Sequence, residues 1–467
     1  MRSTWQALVA SAVLLGCGCS DDAREPASPD ATPDVAAGGS GGTWAWDSGA
    51  PSGGTGAASG GGGANHCPPL GLPKEVPPGF LEYTGYSCSC RFYVPGPEAE
   101  PLPPVEWEPC PQPGPNNSSC QRMKTPWTTT SGAVGTPRFW FDKAAQKSYV
   151  QFTRFRIDSV ANTVRHSIIA PVDGSLENSI VQHGTACVLY NHGIEGGRYL
   201  FGVSSEALGT EGFIGGKLGE APDFAYKQPL VQYEHTTWRM TSEWVIRWKS
   251  GLFGRRWGES DEVTIHTGSS PFEVKGFGGD VFFRVGGFVG SGILTWNHAE
   301  GARDLIRYPN DPERGVANFG TEGGDMVWTY GEGLPDNPSQ WLVNRSIMTA
   351  PYSTDAETVA KTTRRLRSDP GQLTVDGFAV GCGYAARQVI HSNPNDPEQG
   401  TKDMLVVRLS DGVSWIVGMP AVGLGAGFMT ALGFTCEEVF ARAHFPDQAV
   451  TIVRIRLDSL GPGLAPD

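Results

Sequence analysis

Glu243-Trp244-Val245-Ile246-Arg247-Trp248 is echoed by Asp280-Val281-Phe282-Phe283-Arg284-Val285, by Asp325-Met326-Val327-Trp328-Thr329-Tyr330 and by Asp403-Met404-Leu405-Val406-Val407-Arg408. Each run opens on an acidic residue, continues through β-branched, aromatic and other apolar side chains, and gives way to Gly or Asp-Gly. This is the grammar of short strands separated by tight turns. The runs start at residues 243, 280, 325 and 403, so they are 37, 45 and 78 residues apart. We read the last interval as two periods of about 39 residues. Two longer echoes accompany them: Pro309-Asn310-Asp311-Pro312-Glu313 returns as Pro394-Asn395-Asp396-Pro397-Glu398, and Arg165-His166-Ser167-Ile168-Ile169-Ala170-Pro171 resembles Asn344-Arg345-Ser346-Ile347-Met348-Thr349-Ala350-Pro351.

An all-β repeat of this length predicts a β-propeller, because one four-stranded sheet leaves two apolar faces exposed and a closed ring covers each with a neighbour. Residues 135 to 459 number 325, enough for about seven four-stranded blades at roughly 46 residues each. The body, 135–467, resembles a bacterial β-propeller that conforms only loosely to known repeats. It has neither the Gly-His and Trp-Asp pairs of WD40 repeats nor the paired glycines of kelch repeats. Thr451 to Leu457 reads as the last strand, completing a blade begun by the N-terminal part of the body.

Composition agrees with this reading. Gly (63) and Pro (36) make up a fifth of the 467 residues, favouring many turns over long helices. Asp and Glu (49) outnumber Lys and Arg (36) by 13, which argues against nucleic acid as a partner. Gly412 to Cys436 carries no charge over 25 residues but contains Pro420 and six glycines. It therefore reads as buried strands with a Gly-rich loop and not as a membrane span.

The N-terminus carries an export address. Arg2 precedes a short apolar stretch, Trp5 to Leu15, and Leu14-Leu15-Gly16-Cys17 follows. The stretch is too short to cross a hydrocarbon core about 30 Å thick as a helix. Residues 1–19 resemble a bacterial lipoprotein signal, which implies cleavage before Cys17, acylation of that cysteine and anchoring in the cell envelope, at the outer membrane. Residues 20–66 hold six acids, one base and twelve glycines, a composition expected of a disordered linker. Residues 67–134 are rich in Cys and Pro and are expected to be stapled by disulfides and to pack on the propeller. Cys110 and Cys120 form the preferred pair, whose short loop is worth roughly 2.5–3 kcal/mol when closed. The pairing of Cys67, Cys88, Cys90, Cys187, Cys382 and Cys436 is left open.

No catalytic motif stands out. Gly290-Ser291-Gly292 lacks the spacing of a nucleophile elbow, the nine histidines show no metal-ligand spacing, and no cofactor-binding motif is present. Ser410-Asp411-Gly412-Val413-Ser414-Trp415 is shorter than the repeated turn of sialidase propellers and reads as a hairpin turn with Trp415 in the core. Trp244 and Trp248 share one strand face with Arg247 on the other, which makes them a candidate ligand platform for sugars or an acidic polysaccharide; large aromatics packing between blades would produce the same pattern. The expected function is that of a lipid-anchored binding or scaffold module for carbohydrate or an envelope protein. The alternative is an exported polysaccharide hydrolase or lyase acting at one mouth of the ring.

Overall fold

The computed structural model describes residues 76–466 apart from short stretches, the longest being 125–137, 369–376 and 419–428. Cys17, the linker 20–66 and Cys67 lie outside the described residues. The regular structure described is almost all strand, with one α-helix of seven residues, Ala356–Thr362, and a single 3-10 turn, Leu457–Ser459.

The strands form seven antiparallel sheets in chain order, the blades of a propeller. Blade 1 begins at Arg138–Asp142, blade 2 at Val188–Glu195, blade 3 at Thr237–Met240 and blade 4 at Val274–Phe277. Blades 5, 6 and 7 begin at Arg314–Glu322, Ala379–Gly381 and Met429–Phe434. These first strands are the innermost, and from blade 2 around to blade 1 each adjoins the next.

Seven apolar clusters fill the seven gaps between neighbouring blades. This explains why the diagnostic runs are apolar at consecutive positions and do not alternate. In Asp280–Val285, Val281 and Phe283 pack towards blade 3 while Phe282 packs towards blade 5. Trp244 and Ile246 likewise face blade 4, and Val245 faces blade 2. A strand covered on both faces needs apolar residues of both parities. Each such large side chain contributes about 1.5–3 kcal/mol on burial.

The ring closes with strands from both ends of the chain. Gln448–Arg456, the last strand of the body, pairs with Gln121–Lys124, which pairs with Glu106–Pro109. Blade 7 thus takes three strands from the C-terminal part and a hairpin from the N-terminal part. The Arg454 guanidinium donates to the Gln121 side-chain oxygen at 2.6 and 2.8 Å and lies 4.5 Å from the centre of the Trp107 ring. A second N-terminal hairpin, Phe80–Ser87 with Cys90–Pro95, extends blade 1 outward through pairing of Cys90–Pro95 with Asn178–His183. Residues between 80 and 124 therefore supply strands to two blades.

Cys110 and Cys120 are bonded across the hairpin that closes the ring. Cys382 is bonded to Cys436, joining the turn after the innermost strand of blade 6 to its counterpart in blade 7. Cys187 is also in a disulfide.

One reading of the repeat needs correction. The interval of 78 residues spans a single blade boundary: Asp325 opens the second strand of blade 5, whereas Asp403 lies in the third strand of blade 6. Blade 5 is long because its third strand, Asn337–Pro351, has 15 residues and is followed by the helix. Of the two longer echoes, the first copy of Pro-Asn-Asp-Pro-Glu, 309–313, lies outside the described residues. The other echo is structural: Thr163–Pro171 and Asn337–Pro351 are the third strands of blades 1 and 5, and both end on proline.

Gly412 to Cys436 supplies the outer strand of blade 6, Ser414–Val417, and the inner strand of blade 7, Met429–Phe434. Trp415 is buried between those blades. Among the described residues, no helix is long and apolar enough to cross a membrane.

Candidate functional site

The innermost strands of a propeller bring distant residues to one axis. Here two cavities of about 360 and 350 Å³ line that axis. They share Phe139, Trp140, Glu195, Lys275 and Leu432, so the Glu195 and Lys275 side chains stand at the boundary between them. The first cavity also receives Arg138 from blade 1, Arg239 from blade 3 and Glu273 from the approach to blade 4. The second receives Glu322 from blade 5.

The charges are held by specific contacts. Glu273 accepts from the Asn318 amide at 3.2 Å and from the Phe319 backbone N–H at 3.0 Å, which ties blade 4 to blade 5. Arg239 donates to the Trp238 carbonyl at 3.0 Å. Burial and, secondarily, the like charge of Arg138 lower its pKa to about 10, against the pull of Glu273, so it stays protonated at neutral pH. Burial also lowers the pKa of Arg138.

Burial raises the Glu195 carboxyl to about 7, although the Lys275 ammonium and the Gly276 N–H both favour its ionised form. A side chain at 276 would begin 2.5 Å from Thr241 Cβ and 2.9 Å from Glu195 Oε1, which is why the backbone can pass so close only as glycine. The first cavity therefore gathers three basic side chains and two acidic ones, of which Glu195 is pushed by burial towards its neutral form. In a chain of net charge −13, this is a local positive excess.

The residues singled out as a ligand platform lie elsewhere and are engaged. Trp244 is 3% exposed and meets Trp296 edge to face, with ring centres 5.1 Å apart. Trp248 is half-buried against the same cluster between blades 3 and 4. Arg247 binds both carboxylate oxygens of Glu262, at 2.5 and 3.0 Å, and its guanidinium lies 4.3 Å from the centre of the Phe253 ring. The two tryptophans pack blade 3 against blade 4, and Arg247 is held within blade 3.

The axial residues escaped sequence reasoning because Arg138, Glu195, Arg239 and Lys275 come from four blades and share no local spacing. A charged residue inside or at the end of the first strand of each of blades 1 to 5 was the available signal. Among the described residues, no group of three or more His, Cys, Asp or Glu is placed to hold a metal ion.

The architecture defines a seven-bladed β-propeller. No protein-family model matches the chain, and no curated protein matches it in sequence. Solved structures do resemble it. The β-propeller domain of the trilobed protease from Pyrococcus furiosus is 8% identical, with a TM-score of 0.46 over 70% of this chain and 96% of that domain. Oligopeptidase B from Trypanosoma brucei is 12% identical, with a TM-score of 0.45 over 71% of this chain and 48% of that one. Prolyl oligopeptidase B from Galerina marginata is 9% identical, with a TM-score of 0.45 over 70% and 49%. The chain spans about half the length of these two peptidases, and the likeness concerns the fold alone.

Proposed function

We propose that this chain is an exported lipoprotein, acylated at Cys17 and held at the cell envelope, whose propeller is a binding module that receives a carbohydrate or an envelope protein in its axial channel. The observation that carries the binding role is the convergence of charged side chains from blades 1 to 4 on the two axial cavities. Cavities of this size suit ligand recognition, and buried charges that are costly to maintain are more readily explained by a ligand than by stability. The signal-like N-terminus and the disulfides support export.

The test uses the full chain on an array of envelope glycans and in pull-downs from envelope extracts. Leu432, which lines both cavities, is replaced by Trp to fill the channel. Binding by the parent is expected to be lost in Leu432→Trp, with the thermal unfolding midpoint kept as a check on folding. Binding that survives the filled channel removes the axial site from this reading. The anchoring half is tested separately: Cys17→Ser is expected to release the protein from the membrane fraction.

Glu195 favours a second reading. A carboxyl that titrates near neutrality suits general acid–base catalysis, as an exported polysaccharide hydrolase or lyase requires. Release of sugar ends from a bound polysaccharide, abolished in Glu195→Gln, would favour this reading over simple binding.

A further inference from the structure

We infer that the axial channel receives an acidic sugar residue, with its carboxylate held between the guanidinium groups of Arg138 and Arg239. This rests on the reading of the channel as a binding site and adds the chemical class of the ligand.

Three features point to an anion. Arg138, Arg239 and Lys275 enter one cavity of about 360 Å³ from three blades. Of the two acids that share this cavity, Glu273 is committed to Asn318 and Phe319 on blade 5, and Glu195 is packed against Lys275 and Gly276. Arg138 and Arg239 line the same cavity and the charge of Arg138 disfavours that of Arg239, so an anion bound to both offsets this repulsion. A guanidinium carries five N–H donors in a planar fork that matches a carboxylate, and Arg239 spends one Nη donor on the Trp238 carbonyl.

Trp140 makes the ligand a sugar rather than an acidic peptide. It lies two residues from Arg138 in the same innermost strand, so the two project from one face, and it lines both cavities. An aromatic side chain beside a carboxylate-binding guanidinium offers an apolar surface for the C–H face of a sugar ring.

Glu195 then sets a pH dependence. The charged groups around it are Lys275 and Glu273 from the blade 4 side, Arg239 from blade 3, Arg138 from blade 1 and Glu322 from blade 5. As pH falls from 8 to 6 through its titration near 7, Glu195 loses its negative charge while Arg239 keeps its positive one. The channel becomes more positive, and an anion whose own carboxylate stays ionised over this range binds more tightly.

The experiment is calorimetric titration of the full chain with trigalacturonate, maltotriose and triglutamate at pH 6 and pH 8. Trigalacturonate is expected to bind, more tightly at pH 6, and maltotriose is not. Arg239→Gln and Arg138→Gln are each expected to weaken trigalacturonate binding about 10- to 100-fold, the loss of one charge-assisted contact. Arg239→Lys, which keeps the charge but not the fork, should fall between parent and Gln. Glu195→Gln should abolish the difference between the two pH values.

Trigalacturonate binding that is unchanged in both arginine variants overturns the inference, as does no trigalacturonate binding at millimolar concentration. Binding of maltotriose alone overturns the anion while leaving the channel as a binding site. Tighter binding of triglutamate than of trigalacturonate, with the same arginine dependence, overturns the sugar.

Discussion

Phe440→Ala is expected to lower the stability of the propeller by about 3–5 kcal/mol, the usual cost of truncating a buried aromatic side chain. Phe440 is 1% exposed in blade 7 and stacks on Phe139 of blade 1, with ring centres 3.9 Å apart and planes 8° from parallel. Trp107, from the N-terminal hairpin, meets Phe440 edge-on at 6.0 Å. Three parts of the chain therefore meet at one ring: the start of the body, its end and the segment before it. The variant is measured by urea unfolding. Limited proteolysis should also release the hairpin around Cys110 and Cys120 faster than from the parent. A loss under about 1 kcal/mol would mean that closure is held elsewhere, most directly by the ladder between Gln121–Lys124 and Gln448–Arg456.

Replacing Cys382 and Cys436 together by Ser should cost about 4 kcal/mol, because the bond closes a loop of 54 residues in the unfolded chain. For a body of this size, that corresponds to a fall in Tm of roughly 5 °C. The parent measured after reduction should fall by at least as much. The bridge between Cys110 and Cys120 closes only 10 residues, so its removal should cost less, about 2.5–3 kcal/mol. The reverse order would mean that the shorter bridge acts mainly through the native contacts of the closing hairpin, and not through unfolded-chain entropy.

The two bridges also differ in what could be anticipated. Cys110 and Cys120 lie close in sequence, and a local loop brings them together. Cys382 and Cys436 meet because two adjacent blades present equivalent turns side by side, a relation that exists only once the sheets are stacked. The ligand platform shows the same limit from the other direction. Trp244 and Arg247 were correctly placed on opposite faces of a strand, but both faces are occupied: Trp244 packs against blade 4, while Arg247 meets Glu262 and Phe253 of its own blade. Strand periodicity tells which side chains share a face, not whether that face meets solvent or another sheet.

The repeat interval failed for a related reason. Asp325 and Asp403 begin similar apolar runs, yet they occupy the second and third strands of their blades. Any strand buried on both faces has the same composition, whatever its place in the sheet. The total length was the better guide to seven blades, because each blade must supply four strands and their turns.

Runs such as Val281-Phe282-Phe283 are apolar at consecutive positions, so strands covered on both faces were legible in the residues themselves, and the spacing of the runs together with the body's length pointed to a ring of sheets. The tertiary structure alone decided that residues 121–124 complete the last blade, that Cys382 bonds Cys436, and that Arg138, Glu195, Arg239 and Lys275 share one channel. Burial is a property each residue carries in its own chemistry and spacing. Which distant residues meet is set by the closure of the ring, where every blade contributes its first strand to the same axis.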